Sequence, residues 1–163
     1  MSTSDRRLPP FEQVIELHGR AVLRFCAAQV GGERAEDAFQ ETMLAALRAY
    51  GTVRDPGAIR SWLFAIAARK AVDAHRTRAR EPEPVADPEP AVAEADATVA
   101  DAGIWRLVGS LPAKQRTAVG LRYLADLSHA EIAEAMETSV EAARRNVFEG
   151  LQRLRALGAG AHS

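Results

Sequence analysis

Apolar positions recur every three or four residues along most of the chain, and no alternation of period two lasts long enough to build a sheet. The pattern predicts helices near 11–30, 33–50 and 59–79, then four shorter ones near 100–109, 112–124, 129–136 and 140–157. In the second of these, Phe39, Met43, Ala46, Leu47 and Tyr50 fall on one apolar face, and Asp37, Gln40, Glu41 and Arg48 lie away from it. The stretch 51–57 (GTVRDPG) reads as a loop from its glycines and its Asp-Pro pair. Pro112 suits the first turn of a helix, where its missing N–H is not needed. Ser128 and Ser139 each stand just before an apolar-periodic run as N-caps do, and Glu131 is spaced to close a capping box on Ser128. Only a tight turn fits between Met136 and Ser139. Two short helices joined by such a turn, the second longer and basic, make a helix-turn-helix pattern.

On a helical wheel for the last helix, Val140, Ala143, Val147, Leu151 and Leu154 form the buried seam. Ala142, Arg145, Asn146, Glu149 and Arg153 take the opposite face, and Arg144 lies to one side. In a helix lying in the major groove, the N-terminal residues of the outer face reach the base edges. Arg145 suits guanine O6 and N7, Asn146 adenine N6 and N7, Glu149 cytosine N4, and Arg144 a phosphate. A solvated surface face is the alternative for any lone basic helix; the capped turn in front of this one favours DNA.

Charge divides the chain further. Residues 1–80 hold 13 Lys/Arg against 9 Asp/Glu, residues 81–101 hold seven acids and no base, and residues 102–163 hold 8 bases against 6 acids. The acidic stretch contains Pro82, Pro84, Pro88 and Pro90, which forbid a continuous helix, and its like charges extend it. This predicts two all-helical domains joined by a flexible acidic Pro-rich linker at 81–98, with a disordered N-terminus (1–10) and a short tail (158–163). Between Arg54 and Arg80 stand seven bases against Asp55 and Asp73, a helix apolar at its front and cationic at its rear, as one that packs at one end and meets a polyanion at the other.

The chain has 163 residues, 47% hydrophobic and 26% charged, the balance of a folded protein. Its longest clean apolar stretch, Trp62 to Ala68, is far short of the roughly 20 residues of a membrane span. The polar N-terminus carries no apolar run, so neither a signal peptide nor stable membrane insertion is expected, and the cytoplasm is the expected compartment. A lone Cys26 excludes an internal disulfide, and the four histidines are not at metal-ligand spacing. No catalytic constellation stands out, so no enzyme activity, cofactor or metal is expected. Trp62 and Cys26 read as core residues rather than as a base-stacking platform and a redox switch. A dimeric helix-turn-helix regulator and a protein-binding adaptor remain alternatives; the chain lacks a dimerisation seam, and its basic helix argues against an adaptor.

The segments AEDAFQETMLAALRAY, SWLFAIAARKAVD and SLPAKQRTAVGLRYLADLSHAEIAEAM, followed by SVEAARRNVFEGLQRLR, resemble the extracytoplasmic function (ECF) group of bacterial RNA polymerase sigma factors. The resemblance covers nearly the whole chain outside residues 1–10, the linker and the tail. It implies region 2 at 11–80 and region 4 at 99–157, with no regions 1.1 or 3. It further implies that region 2 docks on the clamp helices of the polymerase largest subunit through Asp37, Gln40 and Glu41. The loop 51–58, with Thr52, Val53, Arg54 and Asp55, would hold a flipped-out base of the single-stranded −10 element, and Arg60, Arg69, Lys70 and Arg76 the strand. Region 4 would sit on the flap of the second-largest subunit and read the −35 duplex, and the linker would thread toward the RNA-exit channel. An anti-sigma factor is the further partner implied. The chain departs from the family pattern at Arg69, where asparagine is usual, at Lys70, where an aliphatic residue is usual, and at Phe148-Glu149, where His-Arg is common. Glu149 therefore either reads a cytosine or lies off the DNA.

Overall fold

A computed structural model describes residues 7–80 and 99–161; the acidic linker lies outside the described residues. Seven α-helices and no strand are found among them: α1 (Phe11–Val30), α2 (Gly32–Ala49), α3 (Ile59–Arg80), α4 (Val99–Gly109), α5 (Ala113–Tyr123), α6 (His129–Met136) and α7 (Val140–Ala161). The all-helical class follows the periodicity, and most helix ends fall within two residues of the positions it predicts.

Helices α1 to α3 form the first half. Gly31 joins α1 to α2 at φ 85°, a left-handed conformation that glycine adopts without strain, and its N–H caps α1 on the Ala27 carbonyl. Phe25 and Phe64 meet edge to face at 5.8 Å. Trp62 stands edge-on to Tyr50, which stands edge-on to Phe11, so Trp62 fills the joint between helices as expected. Residues 7–10, expected to be disordered, instead pack on this half: Leu8 lies against the core and the Tyr50 hydroxyl donates to the Pro9 carbonyl. Burial raises the pKa of Tyr50 and pushes the Cys26 thiol up to about 12. Cys26 is buried and carries no thiolate at neutral pH.

Helices α4 to α7 form the second half. Pro112 stands one position earlier than expected, as the N-cap of α5. Ser128 accepts from the Glu131 N–H while the Glu131 carboxylate accepts from the Ser128 N–H, closing the expected capping box. Ser139 accepts from the Ala142 N–H and starts α7. Between them, α6 ends with Thr138 N–H on the Ala133 carbonyl and Glu137 N–H on that of Glu134, the Schellman arrangement. Helix α7 runs on to Ala161, through most of the expected tail.

The halves do not stand apart. One buried cluster runs from Val14, Phe25 and Leu63 in the first half to Ala118, Leu121, Ile132 and Val147 in the second. Helix α5 lies against α1, and α6 against α3. A smaller cluster joins Ala28 of α1 to Val108, Leu111 and Val119.

Candidate nucleic-acid interface

The seam predicted for α7 is the seam observed. Ala143 and Val147 are buried, and Val140, Leu151 and Leu154 are partly so. Gly150 belongs to it too: a Cβ there would stand 2.7 Å from Val119 and 3.5 Å from the Gln115 Cβ, so the glycine lets α7 approach α5. The outward face divides. Arg144, Arg145 and Glu149 are exposed, while Ala142 and Asn146 are half-buried. The Glu149 carboxylate accepts from the Gln115 amide at 3.4 Å, so it is turned toward α5.

Asp37, Gln40 and Glu41 are all exposed on α2, and Leu44 and Leu47 beside them are more than half exposed. This face carries three polar residues and two unpartnered leucines, a composition suited to docking on another protein.

The loop after α2 is built of two single 3₁₀ turns, Tyr50–Thr52 and Pro56–Ala58. Thr52 turns its hydroxyl back to the Ala49 carbonyl, and the Asp55 side chain accepts from the Gly57 N–H, fixing the entry to α3. Thr52, Arg54 and Asp55 are exposed and Val53 is half-buried. A cleft of about 480 Å³ opens beside this loop, lined by Pro56, Gly57, Arg60 and Ser61 on one wall and by Asp126, Leu127 and Glu131 of the second half on another. His18 also lines it, its pKa lowered by burial and then by the Arg60 charge.

Along α3, Arg60, Arg69 and Arg76 are exposed and Lys70 is half-buried. Two of these cations meet acids of the second half: Arg60 lies 3.9 Å from Asp126, and Arg69 lies 3.7 Å from Glu137. The pairs are long and open, with side chains 51% and 83%, and 62% and 76%, accessible, and such contacts stabilise by about 0–1 kcal/mol. Asp126 and Glu137 are also the two non-glycine residues at positive φ among the described residues, at 56° and 55°. Glycine is the ordinary occupant of that conformation and asparagine and aspartate follow it, so Asp126 suits its position better than Glu137 does.

Reading the sequence alone missed the contact that joins the halves. Gln29, 1% exposed at the end of α1, donates from Nε2 to the Arg116 carbonyl and accepts at Oε1 from the Thr117 hydroxyl. The Arg116 guanidinium answers by donating to the Gln29 carbonyl at 2.7 Å and to the Leu111 carbonyl from two nitrogens. It also donates to His75 Nε2 at 2.9 Å, which requires that nitrogen to be unprotonated, since guanidinium cannot accept. Helix α1 has no basic residue in its last turn, so Arg116 supplies the cation that its carbonyl end favours. A glutamine closing an apolar run (Ala27-Ala28-Gln29-Val30) was the one signal available.

Among the described residues, no group of three or more His, Cys, Asp or Glu converges as a metal site, and no helix is long and apolar enough to cross a membrane.

Known proteins share both halves. Residues 14–81 match the family model of sigma-70 region 2, and residues 102–154 match that of sigma-70 region 4. The ECF RNA polymerase sigma factor SigD of Mycobacterium tuberculosis (strain ATCC 25618 / H37Rv) is 36% identical over 160 residues, covering 88% of this chain and 74% of the relative. SigM of Mycobacterium tuberculosis (strain ATCC 35801 / TMC 107 / Erdman) is 35% identical over 112 residues, 67% of this chain and 57% of the relative. Among solved structures, CnrH in complex with the cytosolic domain of CnrY superposes with a TM-score of 0.68 at 24% identity, covering 92% of this chain and 88% of that one. The sigma factor RpoE in complex with the anti-sigma factor NepR from Bartonella quintana superposes at 0.71 with 22% identity, covering 90% and 95%.

Proposed function

The chain belongs to the ECF group of sigma-70 family RNA polymerase sigma factors, and on that premise we propose how its residues divide the work. An ECF sigma factor binds core RNA polymerase, recognises the −35 and −10 promoter elements, melts the −10 region and initiates DNA-templated transcription. One observation carries the division: a cationic α3 behind an exposed loop, followed by a capped helix-turn-helix, in the order of regions 2 and 4.

Residues 11–80 are the unit for core polymerase and the −10 element, residues 99–157 the unit for the −35 element. Asp37, Gln40 and Glu41, flanked by Leu44 and Leu47, dock on the polymerase. Thr52, Val53, Arg54 and Asp55 hold a flipped base. Taking a base out of the stack costs a few kcal/mol, which Arg60, Arg69, Lys70 and Arg76 offset through the strand phosphates. Where the family pattern has an amide and an aliphatic residue, Arg69 and Lys70 put charge, so melting leans on charge. Arg144 holds a phosphate and Arg145 a guanine edge, with Ala142 and Asn146 beside them at the groove. Glu149, drawn to Gln115, lies off the bases.

The protein works in the bacterial cytoplasm, catalyses no reaction by itself, and is held inactive by an anti-sigma factor. The complexes of CnrH with CnrY and of RpoE with NepR support that last assignment by analogy of fold.

Core binding by Asp37→Ala/Gln40→Ala/Glu41→Ala tests the docking face. About tenfold weaker binding, some 1.4 kcal/mol, is expected with unchanged helical content. Unchanged affinity would move the docking face elsewhere.

A further inference from the structure

We propose that residues 8–10, ahead of the first helix, position the base-holding loop through the side chain of Tyr50. The inference rests on the reading above that Thr52, Val53, Arg54 and Asp55 hold a flipped base of the −10 element. Tyr50 touches no base in this account; it is a positioning residue.

The segment is stiff for a local reason. Pro9 and Pro10 each fix φ, and a residue that precedes proline is pushed toward extended backbone. Pro10 is extended at φ −56° and ψ 144°, and its carbonyl accepts from the Gln13 and Val14 N–H groups at the start of α1. The Pro9 carbonyl, one residue earlier, accepts from the Tyr50 hydroxyl. Leu8 anchors the segment against the core, and Pro9 lines the cleft together with Pro56 and Gly57. The segment thus binds the first 3₁₀ turn of the loop and flanks the second.

Tyr50 is placed to pass that constraint on. Its N–H caps α2 on the Leu47 carbonyl, and its own carbonyl accepts from the Val53 N–H and closes the first turn. Its ring, 9% exposed, meets Phe11 at the start of α1 at 5.3 Å and Trp62 in the first turn of α3 at 6.2 Å, both edge-on. The three rings tie the helix ends on either side of the loop to the start of α1. Phenylalanine would supply the same packing; the hydroxyl adds a hydrogen bond that fixes the first turn against residues 8–10. Thr52, Arg54 and Asp55 are exposed, and of the four loop residues Val53 alone packs on the core, so the loop is aimed from its two ends. A binding pocket tolerates about 0.5 Å of slack in its contact groups, which is why such a strut matters.

The test separates aim from stability. The native chain and its variants are each assembled with purified core RNA polymerase and allowed to capture short single-stranded DNA from a pool of randomised sequence. Sequencing the captured DNA gives the base preference at each position. Arg54→Ala/Asp55→Ala marks the position that the loop reads, as the one whose preference it flattens. Tyr50→Phe should lower that preference by about three- to tenfold, the range of one net hydrogen bond. Helical content, core binding and the preferences at other positions should stay native. Removing residues 2–9 should lower the preference at least as far, and Tyr50→Phe should add nothing in the shortened chain.

A Tyr50→Phe chain that keeps the native preference overturns the proposal. So does an equal loss at every position, which would mark the hydrogen bond as merely structural. A further loss on adding Tyr50→Phe to the shortened chain also overturns it, since the hydroxyl would then act without residues 8–10. Should the shortened chain lose helical content, Tyr50→Phe in the full chain decides alone. A native preference that the loop substitutions leave intact overturns the loop reading itself, and the positioning with it.

Discussion

Gln29 and Arg116 hydrogen-bond in both directions: the glutamine amide donates to the arginine carbonyl at 3.0 Å, and the guanidinium donates to the glutamine carbonyl at 2.7 Å. Eighty-seven residues separate them in sequence. The pair fastens the end of α1 to α5, so an otherwise apolar junction acquires a fixed register.

Loss of one partner removes bonds at the other. Gln29→Ala deletes the amide that donates to the Arg116 carbonyl and accepts from Thr117, whose hydroxyl keeps the Ala113 carbonyl. Unfolding by urea should show a loss of about 1–3 kcal/mol, two buried hydrogen bonds at about 0.5–1.5 kcal/mol each. Arg116→Lys should not restore native stability, since an ammonium cannot reach Gln29, Leu111 and His75 with the guanidinium's spread of donors. Native stability in either variant would contradict the account of the junction.

Arg145→Ala should weaken binding to a cognate −35 duplex by about 1–3 kcal/mol and relax base preference at one position. Competition between cognate and scrambled duplexes checks it. Equal loss on both would reduce Arg145 to a phosphate contact.

Glu149→Gln should bind the −35 duplex as well as the native chain or somewhat better, because the carboxylate faces α5 and its charge only repels phosphate. A loss confined to one base pair would restore the cytosine-reading alternative. Titrating both proteins against a panel of single-base variants separates these results.

His18 binds a proton more weakly in the fold than in the unfolded chain, whose ordinary value is 6.5, because burial and then Arg60 disfavour its charged form. Its contribution is therefore fully present above 6.5 and is lost as pH falls through the depressed folded value. Urea midpoints measured across that range should drop toward acid, and His18→Gln should remove part of the drop. An identical acid slope in the variant would contradict this placement.

The local signals in the sequence were strong because local physics decides them. The α7 seam, the Ser128–Glu131 capping box and the Ser139 cap all follow from spacing within one or two turns. Asn146 shows where that reasoning stops: it lies opposite the seam on the wheel yet is half-buried, since α7 packs against both α5 and α6 and its covered sector is wide. The pairing of Arg60 with Asp126, and of Gln29 with Arg116, depends on how the halves dock, which no spacing within either half encodes.

Run-off transcription with purified core polymerase and a pooled promoter library, with and without this chain, tests the central claim most directly. Transcripts that start at defined sites only when the chain is present, with shared elements upstream of each start, are the predicted result. An unchanged transcript pool, with no binding to core, would contradict it.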